Sequence, residues 1–127
     1  MRGRRHPRNS TNPLANLRMV NLEAGKPTVH DALTRLDQEL AAARREGYEI
    51  VKLIHGYGSS GAGGDIRIAV QLRLTELARN GQIRSCIFGE NWSKSDEQTW
   101  KLIQARSEIK QDRDLGRKNL GITVVVL

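Results

Sequence analysis

The sequence predicts an α/β sandwich in which two main helices lie on one face of a mixed four-stranded sheet. Strand-like and helix-like patterns follow each other as strand, helix, strand, helix, strand, helical insertion and strand, an order that favours right-handed crossovers on one face. The chain has 127 residues, a usual size for a single core. Only 4% of its residues are aromatic, so aliphatic side chains must do most of the packing.

The first three elements precede a glycine-rich loop. The segment 19–22 resembles a short strand. A helix is predicted from Thr28, which forms an approximate capping pair with Asp31, to about Glu46, because apolar residues recur there at three- and four-residue spacing. The β-branched run Ile50 to Ile54 lies between a helix stop and the glycine loop and is therefore predicted to be a strand.

The second half continues the alternation. The loop 55–64 leads into a second helix, for which Asp65 is the expected cap, and a third strand is predicted over 83–88. The β-branched run 122–127 follows Gly121 and predicts the last strand.

An insertion is expected at about 89–120, between the third and last strands. It contains a short helix, and Trp92 and Trp100 are expected to anchor it to the body of the domain. The mixed-charge stretch 106–118 is expected to be solvated or mobile. The domain proper is accordingly predicted to span 19–127.

The charge balance favours an acidic polymer as partner. The formal net charge is +7 at neutral pH, which attracts nucleic acid. The excess is largest in residues 1–18, a segment without acidic residues that is expected to form a basic flexible arm. Its arginines are Arg2, Arg4, Arg5, Arg8 and Arg18.

Cysteine content and hydropathy favour a cytoplasmic protein that does not enter a membrane. Cys86 is the sole cysteine, so an intrachain disulfide is impossible, which favours a reducing compartment. No stretch approaches the roughly 20 apolar residues of a transmembrane helix, and no apolar signal-peptide core follows the basic start.

The glycine loop is the strongest candidate for a binding site. Glycines let the backbone turn sharply and approach a phosphate, and the N–H groups at the next helix start suit an anion. His55 could donate to a phosphate or act as a general acid or base; the alternative is a hydrogen bond to the loop backbone. Tyr57 could stack on an exposed base or fold back over the core. Lys52 is expected to be a solvated strand residue.

The segment Ile54-His55-Gly56-Tyr57-Gly58 resembles the signature of the Smr (small MutS-related) domain family, in which a hydrophobic strand runs into His-Gly-x-Gly. The final Gly121 to Leu127 is similar to the glycine-led closing strand of that family. The resemblance covers roughly Val20 to Leu127, apart from the insertion. It implies a βαβαββ fold similar to the C-terminal domain of translation initiation factor three. It also implies binding to DNA or RNA, with nicking or endoribonuclease activity in some members.

The residues expected to contact nucleic acid are therefore His55, Gly56, Tyr57, Gly58, Lys52, Arg2, Arg4, Arg5 and Arg8.

One departure from the family pattern concerns catalysis. The first strand of the family usually ends in Leu-Asp-x-His-Gly, whereas here Asn21 stands in place of the aspartate and Glu23 in place of the histidine. If those groups carry cleavage in active members, this protein binds with weak or lost endonuclease activity. The alternative is an active endonuclease that uses His55 and Glu23 as catalytic residues, with a divalent metal ion held by oxygen ligands.

A dinucleotide-binding enzyme is a third interpretation. The run Gly56 to Gly61 satisfies Gly-x-Gly-x-x-Gly between a strand and a helix, and Glu90 follows the next strand. The loop continues through further glycines, however, and the rest of the chain is too short for the second half of a full dinucleotide fold.

Overall fold

A computed structural model of the protein describes residues 17–57 and 63–127. The elements are β1 (Leu17–Asn21), α1 (Val29–Arg45), β2 (Ile50–Ile54), α2 (Gly63–Arg79), β3 (Ser85–Phe88), α3 (Glu97–Ala105) and β4 (Ile122–Val126). Two short 3₁₀ helices, Gly89–Asn91 and Ser107–Gln111, flank α3. None of the helices in the described ranges has the length and apolar character needed to cross a membrane.

The four strands form one mixed sheet in the order β1-β2-β4-β3. Strand β1 pairs with β2 in parallel, and β4 is antiparallel to both β2 and β3. The predicted mixed four-stranded sheet is therefore confirmed. Because β1, β2 and β3 run in one direction, their carboxyl ends meet at the same edge, where β4 begins.

Helices α1 and α2 cover one face of this sheet, as predicted. Thr28 caps α1 by accepting a hydrogen bond from the Asp31 backbone N–H, and the Asp31 carboxylate accepts one from the Thr28 N–H, so the predicted capping pair is a full capping box. The buried residues of this face are Val20, Leu22, Ala32, Leu36, Leu40, Ala43, Tyr48, Val51, Leu53, Ile66, Val70, Leu74, Ile83 and Val125.

The segment between β3 and β4 covers the opposite face. Its Trp92, Ile103 and Ile109 are fully or almost fully buried. They pack with apolar residues of the sheet, namely Leu17, Ile50, Ile87, Ile122 and Val124. The expectation that 106–118 is solvated or mobile is wrong for Ile109 and Asp112, which are 1% and 8% exposed, although other residues of the stretch, among them Arg113, Arg117 and Lys118, are exposed. Trp92 anchors the segment as predicted, whereas Trp100 is 44% exposed and does not.

Several predicted boundaries differ from the structure, among them that of β3, which begins at Ser85 instead of residue 83. Strand β1 begins at Leu17, so Arg18 belongs to the sheet rather than to the arm, and its guanidinium pairs with Glu39 and Glu46 of the α1 region. The predicted arm residues Arg2, Arg4, Arg5 and Arg8 lie outside the described residues.

The starts of two helices also differ. Helix α2 begins at Gly63, so Asp65 lies in its first turn instead of capping it. A carboxylate there still interacts favourably with the helix dipole. In the short helix of the insertion, Ser95 and Gln98 have the spacing of a capping pair, but α3 is capped by Asp96, whose carboxylate accepts a hydrogen bond from the Thr99 N–H at 2.9 Å.

Candidate nucleic-acid interface

The candidate site lies at the edge of the sheet where the parallel strands end. Glu23 follows β1, the segment His55–Tyr57 follows β2, and Glu90 follows β3. Gly121 precedes β4 at the same edge, and its carbonyl accepts hydrogen bonds from the N–H groups of His55 (2.9 Å) and Gly56 (3.1 Å). This backbone contact joins the predicted binding loop to the end of the insertion. Ligands of open α/β sheets commonly bind outside the carboxyl ends of strands.

His55 is a buried residue with both ring nitrogens occupied. Its Nδ1 lies 2.7 Å from the Gly56 carbonyl oxygen and its Nε2 lies 2.9 Å from Thr123 Oγ1. A carbonyl can only accept, so Nδ1 carries the proton, and the Thr123 hydroxyl donates to Nε2 of a neutral ring. Burial lowers the pKa of His55, and the nearby Arg67 adds to this effect, whereas the Gly56 hydrogen bond and the carboxylates of Glu23 and Glu90 oppose it.

These two hydrogen bonds and the burial of the ring indicate that His55 has a structural role. Its side chain is completely buried, so the contact with the loop backbone that the sequence left as an alternative is the one present. The ring ties the end of β2 to β4 and holds the Gly56 turn, where φ is +73°.

Glu23 reaches the same edge but not the His55 ring. Its side chain is exposed and lies over Gly56, so that a Cβ built on Gly56 comes 2.5 Å from Glu23 Oε1. The Asn21 side chain accepts a hydrogen bond from the Glu23 N–H at 2.9 Å and so stabilises the turn after β1. Glu23 and His55 therefore influence each other through charge, without forming a catalytic hydrogen-bonded pair.

The remaining groups around His55 do not form a metal centre. Within residues 17–57 and 63–127, no three His, Cys, Asp or Glu side chains are grouped so that they could hold a metal ion. Glu90, which the dinucleotide interpretation assigns to a ribose, pairs with Arg67 of α2 at 3.3 Å. Gly58, another predicted contact residue, lies outside the described part of the chain.

Lys52 does not belong to the interface, and the expectation of a solvated lysine there is wrong. The residue is 1% exposed and lies on the face of β2 that the insertion covers. Its Nζ donates to Asp112 at 2.9 Å and pairs with Asp114. A lysine buried in this way cannot reach a phosphate, because its ammonium is held by the two carboxylates.

Tyr57 instead lies beside a basic cleft. The side chain is 56% exposed. The cleft has a volume of about 570 Å³ and is lined by Tyr57, Arg113, Asp114, Arg117, Lys118, Asn119 and Leu120. Residues 113–121 form the side of the cleft opposite Tyr57 and are called the cleft loop below. A Cβ built on Gly121 comes 3.4 Å from the Tyr57 ring and 3.3 Å from Gly56, so the cleft loop contacts the segment His55–Tyr57.

The cleft is positive because its cations are unpaired while its carboxylate is paired. Arg113, Arg117 and Lys118 are exposed, and none of them forms an ion pair with any described residue. Among the described residues that line the cleft, Asp114 is the only acidic one, and it is held by Lys52. An aromatic ring beside free cations can bind a base and its phosphates.

Sequence reasoning missed these three cations. They lie within the stretch 106–118, whose mixed charges were interpreted as a solvated surface. The sequence signal that could have indicated them is the grouping of three basic residues around Gly116, a residue type typical of turns. The structure does form a turn there, with positive φ at Gly116 (+81°) and Lys118 (+54°).

No protein-family model, no curated protein and no solved structure matches the chain. The geometry of the edge is therefore the basis for the function proposed below.

Proposed function

We propose that the domain binds nucleic acid in the cleft beside Tyr57, with an unpaired base stacked on the tyrosine ring and neighbouring phosphates held by Arg113, Arg117 and Lys118. The observation that carries this proposal is the cleft itself, in which an exposed aromatic ring and three unpaired cations lie together. Backbone phosphates supply the charge that such cations bind, and the face of an unpaired base suits the ring.

The geometry favours single-stranded or looped nucleic acid over a regular duplex. A base can stack on Tyr57 only when it is not already stacked between neighbours in a helix. The partly apolar lining from Leu120, which is 40% exposed, adds a surface for a base rather than for a phosphate. The formal net charge of +7 supports the attraction over the whole surface.

The proposal is for binding without efficient strand cleavage. A histidine that acts as a general base needs a free ring nitrogen within reach of the proton that it abstracts. Both nitrogens of His55 are engaged within the fold, and the residue is fully buried. The Smr-like signature around His55 therefore supports the placement of the binding edge, and the buried imidazole argues against the endonuclease alternative.

The experiment measures binding of the full chain to fluorescently labelled oligonucleotides by anisotropy, using a single strand, a hairpin loop and a blunt duplex, each as DNA and as RNA. Replacing Tyr57 with alanine removes the stacking ring. We expect affinity for the single strand and the loop to fall by about 5- to 150-fold, the equivalent of roughly 1–3 kcal/mol per stacked base.

The matched control is Tyr57→Phe, which keeps the ring and removes only the hydroxyl, and should bind like the parent protein. Unfolding midpoints of both variants exclude a loss of folding. If the alanine variant is folded and binds single strands with the affinity of the parent protein, no base stacks on Tyr57 and the proposal fails.

A further inference from the structure

The buried cation of the sheet is connected to the loop that carries the cleft arginines. Lys52 lies in the middle of β2, opposite Met19 of β1 and Val124 of β4. Its Nζ donates to both carboxylate oxygens of Asp112, at 2.9 and 3.1 Å, and pairs with Asp114. An unpaired lysine or aspartate at this depth carries a large desolvation cost, so the three groups strongly favour one arrangement.

Hydrogen bonds extend this cluster to both ends of the cleft loop. The indole Nε1 of Trp92 donates to Asp112 at 2.9 Å. The side chain of Asn119 links Asp114 to the start of β4, because its Nδ2 donates to Asp114 at 3.1 Å and its Oδ1 accepts from the Gly121 N–H at 2.8 Å. Burial alone raises the pKa of Asp114, yet the hydrogen bonds from Lys52 and Asn119, together with the charges of Lys52 and Arg113, bring it below its ordinary value, so the carboxylate is ionised at neutral pH.

We propose that Lys52, Asp112 and Asp114 form a positioning unit that holds the cleft loop in the shape that binds nucleic acid. This inference rests on the proposed function. Arg113 adjoins both aspartates in sequence, and Arg117 follows the turn that they hold, where the Arg117 N–H donates to the Asp114 carbonyl at 3.1 Å. A loop that is already ordered loses less conformational freedom when it binds, which strengthens binding without an added contact.

A positioning role for Asp114 and simple electrostatics predict opposite effects of Asp114→Asn on the affinity for nucleic acid. Asp114 lines the cleft, and its side chain is 16% exposed. If the cleft attracted nucleic acid by charge alone, Asp114→Asn would remove a repulsive carboxylate and strengthen binding. If Asp114 positions the loop, the same substitution weakens binding despite the more positive cleft.

The test compares Asp114→Asn with Asp37→Asn in the full chain, by anisotropy with a labelled single-stranded oligonucleotide. Asp37 is a matched control because it is an exposed aspartate paired with an arginine, Arg73, on the two helices of the opposite face. We expect affinity to fall by about 2- to 10-fold in Asp114→Asn, similar to the cost of ordering one long side chain, and to be unchanged or slightly raised in Asp37→Asn. Equal or tighter binding by folded Asp114→Asn overturns the inference.

A double-mutant cycle separates positioning from a general loss of stability. Arg117→Gln should cost less affinity in the Asp114→Asn background than in the parent, because a misplaced loop has already lost that contact. Equal losses in both backgrounds contradict positioning.

The uncharged variant Asn119→Ala provides a second route if Asp114→Asn does not fold. It breaks the same chain of hydrogen bonds without changing charge, and it too should weaken binding and reduce the cost of Arg117→Gln. Additive losses overturn the inference here as well. If instead Arg117→Gln leaves the affinity of the parent protein unaltered, the proposed function fails, and the inference fails with it.

Discussion

The buried, neutral His55 makes the stability of the fold depend on pH in a defined direction. An unfolded histidine has a pKa of about 6.5, whereas burial lowers the pKa of His55 in the native protein. Between these two values, the unfolded chain binds a proton that the native chain does not. The free energy of unfolding therefore decreases as pH falls from about 6.5 toward the native pKa, and it levels off below that value.

The magnitude follows from one proton. One proton taken up on unfolding changes the free energy of unfolding by at most about 1.4 kcal/mol per pH unit, so the loss is sought by comparing about pH 7.5 with about pH 5.5, on either side of the unfolded pKa of about 6.5. Denaturant unfolding at these two pH values measures it. His55→Gln should be less stable than the parent at neutral pH but should lack this part of the pH dependence, whereas His30→Gln, at an exposed position on α1, should retain it. A parent-like decrease in His55→Gln refutes the assignment of a neutral, buried imidazole.

Two further changes test the edge of the sheet, and one tests the arm. Gly89→Ala should destabilise the fold by about 1–3 kcal/mol in denaturant unfolding, because a Cβ there overlaps the Asn119 carbonyl oxygen; a parent-like midpoint would show that the cleft loop can move away freely. Gly56→Ala should cost about 1–2 kcal/mol, since φ is +73° there, and should weaken oligonucleotide binding in anisotropy; full binding by a folded variant would separate this turn from the interface. Deleting residues 1–16 should weaken binding similarly for all oligonucleotide sequences and flatten its salt dependence, and an unchanged salt slope would contradict a role for the arm arginines.

The first face of the domain was predictable because its signals are local. The capping residues Thr28 and Asp31, the apolar spacing of α1 and the β-branched run of β2 lie within short windows of sequence. The second face depends on contacts between distant residues. Lys52 finds its partner Asp112 sixty positions along the chain, and no local pattern indicates such a pair.

One sequence feature did indicate the second layer. Strand β2 is apolar on both sides of Lys52, and its residues 50–53 are all buried, as is typical of a strand covered on both faces. A lysine in such a strand requires a buried acidic partner, which favours a role for the insertion in the core. The charged residues of 106–118 did not indicate this core role of the insertion, because their composition is also typical of a solvated surface.

The candidate site was predictable in part. The loop after β2 was identified from its glycine pattern, and the structure places the described part of it, residues 55–57, at the carboxyl edge of the sheet. The cations of the cleft were missed because their proximity to Tyr57 depends on strand order. Strand β4 lies beside β2, with Ile122 opposite Ile54, and this pairing brings the residues before β4 next to the loop.

The most direct test of the central claim neutralises two matched sets of exposed cations in the full chain. The cleft set is Arg113, Arg117 and Lys118. The control set is Arg44, Arg45 and Arg84, which lie at the end of α1 and just before β3 and likewise form no ion pair with a described residue. Each set is replaced by glutamine and loses the same charge. Anisotropy titrations with a labelled single strand at several salt concentrations should give a salt slope reduced by about 2 and a large loss of affinity for the cleft set, with little change for the control set. Equal losses for both sets would contradict a binding site in the cleft.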